Sequence, residues 1–96
     1  MSADEYKKQL IDIIQKQIPD SKIYLFGSRA RGDHSATSDI DLAVYTKELI
    51  SIPTMAAIQE NIDRANIPLF VDVVDANHTS KVLKMIIEEE KIPWSV

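Results

Sequence analysis

The sequence predicts an α/β (α+β) architecture, a small β-sheet flanked by helices. Three observations carry this. Residues 22–26 (KIYLF), 39–45 (DIDLAVY) and 69–74 (LFVDVV) are short runs rich in β-branched and aromatic residues. Residues 5–17, a segment opening at 51–53 and another opening at 79–80 repeat apolar side chains at the period of an amphipathic helix. Turn-forming residues separate these segments, so the order reads α-β-(turn)-β-α-β-α. With neither an internal repeat nor a linker, the 96 residues fit one domain, 1–96.

In the first helix, Tyr6, Leu10, Ile13, Ile14 and Gln17 trace one face, with Lys7, Lys8, Asp12 and Lys16 outside it. Pro19-Asp20-Ser21 breaks the pattern. The strand at 22–26 ends at Gly27-Ser28; 28–31 suits a short helical turn and 32–38 a polar loop. In 39–45, Ile40, Leu42 and Val44 point to one side of a strand. Asp39, Asp41 and Ala43 point to the other, giving a buried face and a carboxylate-bearing one. Ser51-Ile52-Pro53 opens a helix, with proline near its first position. Its stripe is Met55, Ile58, Ile62 and Ala65, and Asn66 and Pro68 stop it. After the third strand, Thr79 or Ser80 caps a helix with the stripe Val82, Leu83, Ile86 and Ile87. Glu88-Glu89-Glu90 reads as a solvated face. Ile92-Pro93-Trp94 reads as a short apolar tail, with Trp94 suited to the protein's own core. Strand directions do not follow from these patterns.

Composition removes several function classes. The net charge of −4 and pI near 5.0 leave no basic face for strong nucleic-acid binding. The absence of cysteine excludes a disulfide framework, a thiolate zinc site and a cysteine nucleophile, and suits a reducing cytosol, so a cytoplasmic location is expected. No apolar run approaches the roughly 18 residues of a membrane span, and Met1-Ser2-Ala3-Asp4-Glu5 is too acidic and polar for a signal peptide. His34 and His78 stand alone, without a second ligand at metal-binding spacing, and read as loop residues.

Three features carry chemistry. Gly27-Ser28 directly follows a strand; glycine permits close approach of the backbone to a ligand, and the serine hydroxyl and following N–H groups suit phosphate. Alone, such a pair is most often a plain turn. Asp39 and Asp41, two residues apart on a strand, share a face with Cα atoms roughly 6–7 Å apart. Carboxylates that close repel unless a cation lies between them, and hard oxygen ligands suit Mg²⁺. Asp72 interrupts an apolar strand, where an acid is costly unless paired or metal-bound. If that strand adjoins the one bearing Asp39 and Asp41, three carboxylates face a phosphate loop, the inventory for two-metal phosphoryl or nucleotidyl transfer. These residues by themselves leave open which phosphorus is attacked.

Gly27-Ser28-Arg29-Ala30-Arg31-Gly32 followed by Ser38-Asp39-Ile40-Asp41-Leu42-Ala43-Val44 resembles the signature of the DNA polymerase β-like nucleotidyltransferase superfamily, and within it the minimal nucleotidyltransferase (MNT) group. The resemblance extends over nearly the whole chain, including Asp72. It implies a polymerase β palm-like fold with a small mixed sheet. It implies that Gly27 and Ser28 hold the triphosphate, that Asp39 and Asp41 ligate both metals, and that Asp72 is the third carboxylate, binding the catalytic metal. Arg29 and Arg31 lie in the variable part of the loop as candidate phosphate contacts, with a solvated or salt-bridged role favoured for each. The implied reaction is Mg²⁺-dependent, with two ions and ATP or another nucleoside triphosphate. An acceptor hydroxyl attacks in line at the α-phosphorus and pyrophosphate leaves.

Larger members add a helical domain that this chain lacks. The resemblance therefore points to a small all-helical partner of the HEPN class, and to a role as antitoxin of a toxin–antitoxin pair. Two alternatives remain at this stage. One is a non-catalytic module that neutralises its partner by occlusion. The other is an aminoglycoside-type enzyme, for which the chain is short.

Overall fold

The computed structural model describes residues 4–96. Helix α1 (Asp4–Gln17) buries Tyr6, Leu10 and Ile14, residues that recur every four positions and so stack on one face. Gln17 stays exposed, so the buried stripe is narrower than the periodicity suggests. A turn at residues 18–21, closed by the Ser21 hydroxyl donating to the Ile18 carbonyl at 2.8 Å, leads into β1 (Lys22–Phe26). The short helix α2 (Ser28–Arg31) follows, then a polar loop and β2 (Ile40–Tyr45). Helix α3 (Ile52–Arg64) starts at Ser51, whose side chain accepts from Thr54 N–H at 3.2 Å, with Pro53 in its first turn. Asn66, at φ +55°, turns the chain toward β3 (Val71–Asp75). Ser80, rather than Thr79, caps α4 (Lys81–Glu90), accepting from Leu83 N–H at 3.1 Å.

The expected apolar tail is a fourth strand, β4 (Ile92–Ser95). The sheet runs β3-β2-β1-β4. β1 pairs antiparallel with β2 and β4, and β2 pairs parallel with β3, so the sheet is mixed. Pro93 is accommodated because β4 is an edge strand.

Alternation in the strands divides the molecule into layers. Ile23, Leu25, Ile40, Leu42, Val44 and Val71 face α1 and α3, meeting Leu10, Ile14, Ile58 and Ile62 in the main core. Each of these large aliphatic side chains contributes on the order of 1.5–3 kcal/mol when fully buried. Phe26 and Ala43 face the other way and meet Ile87 of α4 and Ala76 in a smaller cluster. α4 covers that face incompletely. Of its expected stripe only Ile87 is buried; Val82 and Ile86 are exposed. Asp41 and Asp72, in register on β2 and β3, lie on this second face.

Candidate active site

The site begins at the end of β1. Gly27 takes φ +80° and ψ −160°, a region closed to residues with a Cβ. A Cβ placed there would lie 2.2 Å from Asp41 Oδ2, so the glycine is required both by its backbone and by the carboxylate beside it. The Gly27 carbonyl then accepts from Ala30 and Arg31 N–H, each at 3.0 Å, winding α2 directly off the strand.

β2 brings in the acids. Asp41 sits opposite Phe26 on the antiparallel side and opposite Asp72 on the parallel side. Residues in register project to the same face, so Asp41 and Asp72 share the face that α4 covers only in part. Asp39 lies just before the strand rather than inside it, and is exposed. Asp41 is half-buried. Its carboxyl is held above its usual range first by that desolvation, then by the neighbouring charges of Asp72 and Asp39; Arg31 opposes the rise and Glu90 adds to it.

A cavity of about 510 Å³ opens here, of a size that suits a small-molecule ligand. Gly27, Ser28 and Arg31 form one wall, Ser38, Asp39 and Asp41 another, and Phe26, Ile86 and Glu90 close it from β1 and α4. Asp72 is outside this lining, one strand away from Asp41. The two arginines part company. Arg29 gives Nε to the Ser38 carbonyl at 3.0 Å and Nη2 to the carbonyls of Ala36 and Ser35, at 3.2 and 3.4 Å, so it ties down the loop before β2. Arg31 reaches the cavity.

Glu90 does not lie on a solvated face as the acidic run suggests. It accepts from Gly27 N–H at 3.1 Å and pairs with Arg31 Nη1 at 2.7 Å. The hydrogen bond from Tyr45 to Glu88, at 2.7 Å, likewise attaches the end of α4 to the sheet. Three consecutive glutamates gave no sequence signal for this, because the partners lie more than forty residues away in the chain. His78 pairs with Asp75, away from the cavity, and His34 is exposed in its loop.

Among the described residues no three His, Cys, Asp or Glu side chains converge closely enough to hold an ion unaided. The donors present are hard carboxylate oxygens whose mutual repulsion a cation would relieve, which fits Mg²⁺ in its usual mode of one or two carboxylates completed by water and phosphate oxygens. No helix among the described residues is long and apolar enough to cross a membrane.

Comparison with known proteins agrees with this geometry. Residues 8–93 match the family model described as polymerase beta, nucleotidyltransferase. The chain is 31% identical over 77 residues to MntA of Haemophilus influenzae, named as a protein adenylyltransferase, covering 80% of this chain and 68% of that one. It is 36% identical over 62 residues to a protein of Methanocaldococcus jannaschii also named as a protein adenylyltransferase, covering 65% of this chain and 58% of that one. A solved toxin–antitoxin structure with AMP-PNP superimposes with a TM-score of 0.78 at 27% identity, covering 92% of this chain and 71% of the other. The matched length, the Gly27-Ser28 turn and the paired aspartates together place the chain in the polymerase β nucleotidyltransferase family.

Proposed function

We propose that this chain transfers AMP from ATP to a hydroxyl on a small helical HEPN-type partner, releasing pyrophosphate and serving as the antitoxin of the pair. Family membership carries with it a nucleoside triphosphate substrate and a divalent metal. The observation that carries the finer reading is the register pairing of Asp41 with Asp72 beside the cavity formed by Gly27, Ser28 and Asp39. The adenylyltransferase names of two relatives and the toxin–antitoxin assembly of a third support AMP as the group moved and a protein as its acceptor.

In this reading Gly27 and Ser28 receive the triphosphate, Gly27 because it has no side chain to block approach and Ser28 through its hydroxyl. Arg31 faces the phosphates from the cavity wall, whereas Arg29 stays with the loop carbonyls. Asp39 and Asp41 would hold the Mg²⁺, two ions in this reading, with Asp72 as the further carboxylate. Bound there, the ions neutralise charge developing on the phosphates and lower the pKa of the attacking hydroxyl. Asp72 is exposed, which leaves room for the acceptor to approach on its side.

The test is transfer of label from ATP to the helical partner in Mg²⁺. Label at the α-phosphate is expected on the partner and label at the γ-phosphate is not. Asp39→Ala with Asp41→Ala abolishes transfer. Unchanged transfer in the double variant would exclude this site. Stable complex formation without any transfer would favour neutralisation by occlusion instead.

A further inference from the structure

Glu90 is the charged side chain of the cavity to which this reading gives no role. It is the last residue of α4, and its two oxygens are spent on different elements: Oε1 on Gly27 N–H at 3.1 Å and Oε2 on Arg31 Nη1 at 2.7 Å. One carboxylate thus joins the turn after β1 to the guanidinium that ends α2. Its side chain is only 18% exposed, so water competes weakly for the bond to Gly27, while the Arg31 end of the pair lies at the surface. Arg31 is held from a second side, giving Nε to Asp33 at 3.1 Å. A guanidinium offers five N–H donors in a rigid plane. With two of them used, the plane is oriented and the remaining donors are left for a ligand in the cavity that Arg31 lines.

We propose that Glu90 is a positioning residue for triphosphate binding, fixing the Arg31 guanidinium and the Gly27 turn in the arrangement that receives phosphate oxygens. The proposal rests on the nucleotide reading given above. A free arginine would have to be ordered by the incoming phosphates, at a cost in affinity; Glu90 orders it beforehand. Because Arg31 is about half exposed, its ion pair with Glu90 adds little to stability. The contribution of Glu90 is therefore read in binding rather than in melting. This separates a positioning role from a merely structural one.

The experiment is calorimetric titration of the full chain with AMP-PNP in Mg²⁺, using the wild type, Glu90→Gln, Arg31→Ala and the double variant, with melting temperatures recorded for each. Glu90→Gln keeps the shape and the Gly27 acceptor but removes the charge that holds Arg31. It is expected to weaken binding about tenfold with little change in melting. Arg31→Ala weakens binding at least as much, and adding Glu90→Gln to it costs little more, because Glu90 acts through Arg31. Glu90→Asp, which keeps the charge on a shorter arm, recovers part of the affinity. If the wild type binds and Glu90→Gln binds equally well, or if the two losses add in full, the proposal is overturned while the nucleotide site stands. Affinities that track melting temperature rather than charge across Gln and Asp also overturn it. A wild type that does not bind AMP-PNP defeats the nucleotide reading itself.

Discussion

At the scale of single residues, Gly27 and Asp41 constrain each other. Replacing Gly27 with alanine forces a Cβ into the space of Asp41 Oδ2 and into a backbone region reserved for glycine. The strain is expected to cost about 1–3 kcal/mol, lowering the melting temperature by roughly 4–8 °C per kcal/mol; an unchanged melting curve would contradict the geometry. Asp41 makes a second prediction. Its folded carboxyl titrates above its ordinary value of 3.8, so between the two values the folded state holds more protons than the unfolded. In metal-free buffer the Asp41 contribution therefore favours folding at low pH and is lost as pH rises through the raised folded value. Asp41→Asn is expected to raise the melting temperature at neutral pH in EDTA, with the gain vanishing below pH 3.8. Thermal melts across pH check this; a variant that melts lower at neutral pH contradicts it.

At the scale of elements, the parts legible in the sequence are those whose partners are local. The stripes of α1 and α3 and the run at β1 are patterns within single elements, and the structure places α1 at Asp4–Gln17 and β1 at Lys22–Phe26. Asp41 and Asp72 stand out for a similar reason, as acids inside apolar strands, and Asp39 lies just before the first of them. β4 was not visible. Ile92-Pro93-Trp94, with a proline in its middle, reads as a tail, and residues 92–95 become a strand only because β1 offers a free edge. β3 is displaced along the chain for a related reason. Parallel register with β2 extends it to Asp75, whose carboxylate also accepts from Ile50 N–H at 2.9 Å. The end of α4 is tied down by contacts distant in sequence. Glu88 accepts from Tyr45, whose hydroxyl is pushed up to about 12 by burial and then by this bond, and Lys91 lies 4.8 Å from the ring centroids of both Tyr24 and Tyr45. Trp94, packed against the main core with Lys7 over its ring, tests whether β4 supports the sheet. Trp94→Ala is expected to destabilise the protein by about 1–2 kcal/mol, less than the 3–5 of a fully buried tryptophan, because the side chain is only half-buried. A loss near zero in denaturant melts would mean that β4 is dispensable.

At the scale of the whole molecule, the two faces of one sheet do different work. The face toward α1 and α3 carries the main core, and the other is only partly covered by α4, with Asp41 beside the Gly27 turn and Asp72 one strand further on. An anionic chain that gathers further acids at an open cavity is poised to bind a nucleotide only together with cations. The most direct measurement of this claim is a crystal structure grown with Mn²⁺ and AMP-PNP, using the anomalous signal of manganese to locate the metal. Anomalous density is expected between the carboxylates of Asp39 and Asp41, reaching toward Asp72, with the phosphates against Gly27, Ser28 and Arg31. Manganese and nucleotide bound elsewhere on the chain, with these three aspartates left unligated, would contradict it.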